Sequence, residues 1–210
     1  MSKIVFGEVD WNSSAGESGA GKTQFMYLEA GRHVVRVMGN PIQFFVNWIE
    51  TDAGKKKVNS PISSPELLQR LEDAGFKRKA KWMIKVLDRA DGQFKILEIG
   101  SQIYNGIRQL VNDPEWGKAT AYDLTITRGK PGSQPLYSVS PRPKSSLDDS
   151  LKSAFMDFND NLKLDRLVQP SDPKYVLELL KWTKGSESSD SDVGEEDESE
   201  SGEEFPFDFS

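Results

Sequence analysis

The chain has 210 residues, with 27 basic and 33 acidic side chains, one histidine and no cysteine. Without cysteine there are no disulfides and no cysteine-ligated zinc, and the single histidine, His33, gives little support to catalysis built on several histidines. The N-terminus meets Glu8 before any stretch of signal-peptide length, and no apolar run approaches the ~20 residues that span a bilayer. We therefore expect a cytoplasmic protein (host cytoplasm if viral) that is not an enzyme and has no cofactor, no metal and no membrane contact.

The acidic charge is concentrated near the C-terminal end. Residues 185–210 hold 11 of the 33 acidic residues and no Lys or Arg, so residues 1–184 carry 22 acidic against 27 basic side chains, a net charge of +5. This distribution predicts a flexible arm at residues 1–24, a folded domain at 25–184 and a disordered acidic tail at 185–210. A basic domain with an acidic end suggests a polyanion-binding protein whose tail competes for the same surface or docks partners.

The arm contains a match to the G-x-x-x-x-G-K-[ST] phosphate-binding loop. Residues 16–23 read GESGAGKT, in which Lys22 would reach phosphates and Thr23 would bind magnesium. No buried strand precedes the motif, and Gly31 interrupts the helix that should follow it. We interpret this segment, from Gly16 to Thr23, as a Gly-rich arm and retain a nucleotide hydrolase as an alternative.

Hydrophobic periodicity predicts six strands and four helices after the arm. The predicted strands are residues 32–37, 43–49, 81–88, 94–99, 122–128 and 136–139. The predicted helices are residues 64–75, 103–111, 147–158 and 172–183. Asp91-Gly92 predicts a hairpin turn between the third and fourth strands, and residues 52–57 are predicted to be a basic loop. Antiparallel strands interrupted by a helix favour a mainly β or α+β fold, and an oligonucleotide-binding (OB) barrel with inserted helices fits best.

Basic residues alternate with apolar ones along two predicted strands. Arg32 and Arg36 are expected on one face of the first strand, and Lys81 and Lys85 on the face opposite Trp82 in the third. Single-stranded nucleic acid is held by phosphate neutralisation together with stacking of unpaired bases on aromatic rings. The two strands therefore predict cationic stripes that contact nucleic acid.

The predicted DNA contacts extend from these strands to loops and aromatic residues. The basic candidates are Arg32, Arg36, Lys55, Lys56, Lys57, Lys77, Arg78, Lys79, Lys81, Lys85, Arg128, Lys130, Arg142 and Lys144. The aromatic candidates are Phe45, Trp48, Tyr104 and Tyr137. The alternative, in which aromatics fill the core and lysines solvate the surface, is expected to hold for Trp82 and Tyr122.

Four segments of the domain share a layout with a known family. They are the strand pair 81–86 and 94–99, residues 100–104 that open a helix, the strand 122–127 and the basic segment 140–144. This layout resembles phage single-stranded DNA-binding proteins with an OB fold, the T4-type helix-destabilising proteins, but without their zinc site. The resemblance implies sequence-independent binding of single-stranded DNA in phage DNA replication, recombination and repair, and it leaves self-association open.

The tail is similar to the acidic, aromatic-ended tails of bacterial and phage single-strand binders. In that family the tail recruits replication proteins such as a polymerase, primase or helicase, and it occupies the DNA groove when DNA is absent. The resemblance implies partner contacts through Phe205, Phe207, Asp208 and Phe209. A disordered solubilising tail stays open as an alternative, as does an RNA-binding or histone-like interaction protein.

Overall fold

In the computed structural model, which describes residues 25–181 and 183, eight strands form one sheet. The strands are β1 (Phe25–Met26), β2 (Gly31–Val37), β3 (Ile42–Thr51), β4 (Gly54–Asn59), β5 (Lys79–Asp88), β6 (Phe94–Ile99), β7 (Tyr122–Arg128) and β8 (Tyr137–Lys144). The helices are α1 (Pro65–Asp73), α2 (Ser101–Asn112), α3 (Asp149–Asn161), α4 (Leu164–Leu167) and α5 (Pro173–Lys181), with a single helical turn at Ala119–Ala121. The α+β class is confirmed.

The strands pair in the order β1-β6-β5-β2-β7-β8, and β3 pairs with both β5 and β4. Every pair of described strands is antiparallel except β1 with β6. Strand β5 is shared most widely, because β6 follows one of its edges while β2 and β3 divide the other. The described strands are not closed into a barrel by backbone pairing.

The main core lies between the sheet and α2. Val35 and Val86 contribute side chains with no exposed surface, as do Tyr122, Leu124 and Ile126 of β7, the three residues predicted to face inward. Each buried aliphatic side chain is worth about 1.5–3 kcal/mol relative to its exposed state. The inward orientation predicted for Tyr122, Leu124 and Ile126 of β7 is therefore confirmed.

Two smaller clusters cover other parts of the sheet. Met83 on the opposite face of β5 packs with Phe44, Ile96 and Leu164, so α4 and the end of α3 cover that face. Leu71 of α1 and Val176 of α5 pack with residues of the β3–β4 hairpin. Both faces of β5 are consequently covered over much of its length.

The hairpin predicted at Asp91-Gly92 is confirmed. Gly92 has a φ of +71°, which favours glycine, and its N–H donates to the carbonyl of Asp88 at 2.8 Å. The Asp88 carboxylate accepts the N–H of Ala90 at 2.9 Å. This turn sets the register between β5 and β6, which places Met83 opposite Glu98.

The predicted basic loop at 52–57 is wrong, because residues 54–59 form β4. Three consecutive lysines obscure the alternation of this strand, in which Val58 is the buried apolar residue. The last predicted strand is longer than expected and continues through Pro141 and Pro143 to Lys144. Proline removes an N–H donor, and β8 tolerates it because this edge strand pairs only with β7.

The predicted arm with its Gly16–Thr23 motif and the predicted tail lie outside the described residues. Within residues 25–181 and 183, no helix is both long and apolar enough to cross a membrane.

Candidate nucleic-acid interface

A groove of about 460 Å³ opens beside the β1–β6 edge of the sheet and extends to the paired ends of β7 and β8. Its lining combines three aromatic residues, three basic residues and one acid. These are Phe25, Tyr27, Tyr137, Lys57, Lys81, Arg128 and Glu98. Stacking surfaces and cations thus occur in one concave site.

The aromatic wall begins at β1. Phe25 is 40% exposed and Tyr27 is 80% exposed, whereas Met26 and Leu28 between and after them are buried in the core. Parallel pairing with β6 aligns Phe25 with Ile96 and fixes the direction of this short segment. The alternation therefore turns two rings outward while it anchors the backbone.

Phe25 and Tyr27 are absent from the sequence-based set of contacts. A strand of two residues is too short for periodicity to reveal it. The signal was nonetheless present in residues 25–28, where aromatic and aliphatic side chains alternate. An aromatic residue at every second position of a strand places its rings on one face.

Two lysines from different strands meet one carboxylate in the groove. Lys57 Nζ of β4 donates to Glu98 Oε2, and Lys81 Nζ of β5 lies 4.0 Å from Glu98 Oε1. Burial lowers the pKa of Lys81 below its usual value; Glu98 opposes this, while Lys57 and Lys79 add to it. The groove therefore holds cations that repel one another and are stabilised by an anion.

Arg128 and Tyr137 form the opposite wall. They are directly paired across β7 and β8, and the guanidinium carbon lies 6.0 Å from the centroid of the Tyr137 ring. Arg128 Nη1 donates to the carbonyl of Leu28 at 2.6 Å, which ties the segment after β1 to the end of β7. The Tyr137 N–H donates to Gln102 of α2 at 3.0 Å. This wall is held in place by both strands and by α2.

The β3–β4 hairpin extends the same chemistry beyond the groove. Trp48 is 41% exposed and is directly paired with Lys57, so the two side chains share a face. Glu50 pairs with Lys55 one step further along the hairpin. Trp48 and Lys55 thus continue a basic and aromatic surface that starts at Lys57.

Arg36 lies outside the groove, and the prediction that it is exposed on a cationic stripe is wrong. Its side chain is 1% exposed, and its Nε donates to Asp123 at 2.6 Å. Its two terminal nitrogens donate to the carbonyl and hydroxyl oxygens of Ser145 at 2.7 and 2.6 Å. This guanidinium links β2 to β7 and to Ser145, the residue after β8. Arg36 is therefore not part of the candidate interface.

Lys85 and Tyr104 are also engaged inside the domain. Lys85 is 8% exposed and donates to Asn159 Oδ1 at 2.8 Å and to the carbonyl of Leu162 at 2.7 Å, because α3 and α4 cover its side of β5. Tyr104 stacks on Trp82 with ring centroids 4.0 Å apart and an interplanar angle of 6°. Both residues act in packing, and the expected core role of Trp82 agrees with this pair.

Phe45 is half-buried, and the guanidinium carbon of Arg78 lies 5.0 Å from its ring centroid. The remaining predicted basic residues are exposed and lie outside the groove lining. They are Arg32, Lys55, Lys56, Lys77, Arg78, Lys79, Lys130, Arg142 and Lys144. The structure thus brings Lys57, Lys81, Arg128 and Tyr137 together from the predicted set, with Trp48 and Lys55 on the adjoining hairpin.

A second depression of about 500 Å³ lies beside Arg36, Lys144, Ser145 and Lys152. The described residues that line it include no aromatic side chain, and its buried guanidinium is already bonded. It offers charge without stacking, so the groove is the better candidate for a nucleic-acid site.

No protein-family model matches this chain, and no curated protein sequence is significantly similar to it. Within the described part of the chain no cluster of three or more His, Asp or Glu is placed to hold a metal ion. What the groove binds is therefore inferred from its own chemistry.

Proposed function

We propose that this chain is a sequence-independent single-stranded DNA-binding protein of the OB type that acts in phage DNA replication, recombination and repair. The observation that carries the proposal is the convergence of exposed Phe25 and Tyr27, and of partly exposed Tyr137, with Lys57 and Lys81 in one groove. Aromatic rings stack on unpaired bases while ammonium groups neutralise phosphates. Each base stacked in this way contributes about 1–3 kcal/mol.

The composition of the groove favours single strands without base selectivity. The faces of paired bases are stacked inside a duplex, whereas an unpaired base offers its face to a ring such as Tyr27. Among the described residues that line the groove there is no Asn or Gln, the side chains that read adenine edges. The guanidinium of Arg128, which reads guanine in other settings, donates to the Leu28 carbonyl here.

The fold supports assignment to the OB type. The sheet is mainly antiparallel, its strand β5 is shared by β2, β3 and β6, and α2 is inserted between β6 and β7. OB domains bind oligonucleotides on a strand face flanked by loops. The proposed barrel differs from the described sheet in being closed, and the Arg128 contact to Leu28 spans the gap between β7 and the segment after β1.

The C-terminal tail is proposed to compete with DNA for the groove and to recruit a replicative polymerase, primase or helicase. Its 11 acidic residues match the charge of a polyanion, and its last six residues include Phe205, Phe207 and Phe209. Phenylalanines at the end of a solvated acidic run supply an apolar anchor for a partner, together with the charge of Asp208.

The test is a fluorescence anisotropy titration of a labelled oligothymidylate with the parent chain and Tyr27→Leu. Loss of one stacked ring should weaken binding about 5- to 150-fold. Tyr175→Leu is the matched control, because Tyr175 is 47% exposed on α5, outside the groove lining. Equal affinities for the parent and Tyr27→Leu, or no saturable binding by the parent, would contradict the proposal.

A further inference from the structure

Glu98 is the one acidic residue among the described residues that line the groove. Both of its carboxylate oxygens face lysines, with Lys57 bonded to one and Lys81 at 4.0 Å from the other. The two lysines come from β4 and β5, while Glu98 lies on β6. A single carboxylate therefore gathers cations from two other strands.

This cluster is poorly suited to a purely structural role. The three side chains are 26–30% exposed, so water and salt screen their attraction. Partly exposed ion pairs contribute little to stability. The same position is well suited to anion binding, because two ammonium groups that point at one centre match the oxygens of a phosphate as well as those of a carboxylate.

We propose that Glu98 is a built-in competitor of the DNA phosphate. This inference rests on the proposed function and deepens it: the carboxylate occupies the place between Lys57 and Lys81 that a backbone phosphate of the bound strand takes. A phosphate must displace Glu98 from the lysines and then lies close to a like charge. Glu98 thereby lowers the affinity of the groove and keeps the binding of long strands reversible.

The electrostatics of Lys81 fit this exchange. Its pKa is lowered by burial first and then by the neighbouring cations Lys57 and Lys79, while Glu98 acts in the opposite direction. An anion at this point offsets the repulsion between the lysines. In the free protein Glu98 supplies it, and in the complex a phosphate takes over that role.

The test compares the parent chain of 210 residues and its Glu98→Gln variant in titrations of a labelled oligothymidylate over a range of salt concentrations. The glutamine side chain would keep the size and an oxygen acceptor while removing the charge. We expect about five- to fiftyfold tighter binding at low salt, converging with the parent at high salt. The slope of log K against log salt should steepen by up to about 0.7 as one more phosphate is neutralised.

Asp149→Asn is the matched control, because it makes the same charge change in an ion pair on α3, outside the groove lining, where Asp149 accepts from Lys152 at 2.7 Å. Its affinity should stay close to that of the parent. The comparison is repeated with the tail acids 195–198 changed to amides in every protein. A competing acidic tail would also bind a more positive groove more tightly and would mask part of the gain in DNA affinity.

The inference would be overturned if Glu98→Gln bound the oligothymidylate no more tightly than Asp149→Asn did, both with the parent tail and with the amide tail. Weaker binding would also overturn it and would show that Glu98 positions the lysines. If Glu98→Gln does not fold, Glu98→Ala is measured with the same expectation. Absence of saturable binding by the parent would instead overturn the proposed function, so the two failures are distinguishable.

Discussion

Replacing Arg36 by methionine should destabilise the domain by about 3 kcal/mol and leave single-stranded DNA binding unchanged. Removing one partner of a buried ion pair costs about 3–5 kcal/mol, and the guanidinium is 1% exposed with three hydrogen bonds of 2.6–2.7 Å. Asp123 keeps Arg89 at 3.0 Å and is 18% exposed, which lowers the cost. Ser145 loses two charged donors, which raises it.

The assay is urea unfolding of Arg36→Met beside Arg32→Met, followed by a DNA titration of the folded proteins. Arg32 lies four residues earlier on the same strand and is exposed, so its substitution should change the free energy of unfolding by less than about 0.5 kcal/mol. Equal stabilities of the two variants would refute the packing argument. A flatter salt dependence of DNA binding in folded Arg36→Met would contradict the conclusion that Arg36 does not contact DNA.

Three further outcomes are expected. Burial lowers the pKa of Lys85, so folded Lys85 binds its proton less tightly than unfolded Lys85. The free energy of unfolding of the parent should therefore rise relative to that of Lys85→Met as pH increases from neutral towards 10.5. A difference between the two proteins in urea unfolding that stays constant with pH would contradict this. A Cβ on Gly106 would lie 3.0 Å from Val139, so Gly106→Leu should lower the stability of the domain by about 1–3 kcal/mol. The control Asn105→Leu, at an exposed position, should lower it less. Equal melting temperatures of the two variants would contradict the close contact of α2 with β8. Deleting residues 185–210 should tighten DNA binding at low salt and abolish partner docking, and unchanged low-salt affinity would rule out competition by the tail.

The sheet was predictable wherever one face of a strand is buried and the other is not. In β7 the apolar residues recur at every second position, and burial of Tyr122, Leu124 and Ile126 follows from that period. The β5–β6 hairpin was predictable because Asp91-Gly92 is chemistry local to the turn. In β4 the three consecutive lysines interrupt the alternation of apolar and polar residues that marks a strand. Lys57 was therefore predicted to lie on a loop, whereas it lies on a strand.

The interface was predictable only in part, because contacts between distant segments decide which charges remain accessible. Arg36 and Lys85 alternate with apolar residues as surface cations do, yet their partners lie 87 and 74 residues further along the chain. A helix packed over β5 cannot be inferred from the period of β5. The two most exposed rings of the groove, Phe25 and Tyr27, were missed because β1 is only two residues long and Tyr27 lies just after its end.

The central claim is that the groove binds single strands through stacking and phosphate neutralisation. The most direct test is a competition titration in which single-stranded DNA, duplex DNA and RNA displace a labelled oligothymidylate from the parent chain and from Lys57→Gln/Lys81→Gln. We predict that single-stranded DNA competes best and that the double variant flattens the salt slope by about 0.7, as expected for loss of the one phosphate held between the two lysines. The control double variant, Lys174→Gln/Lys181→Gln on α5, should keep the parent slope. Stronger competition by duplex DNA, or a slope in the groove variant equal to that of the control, would contradict the claim.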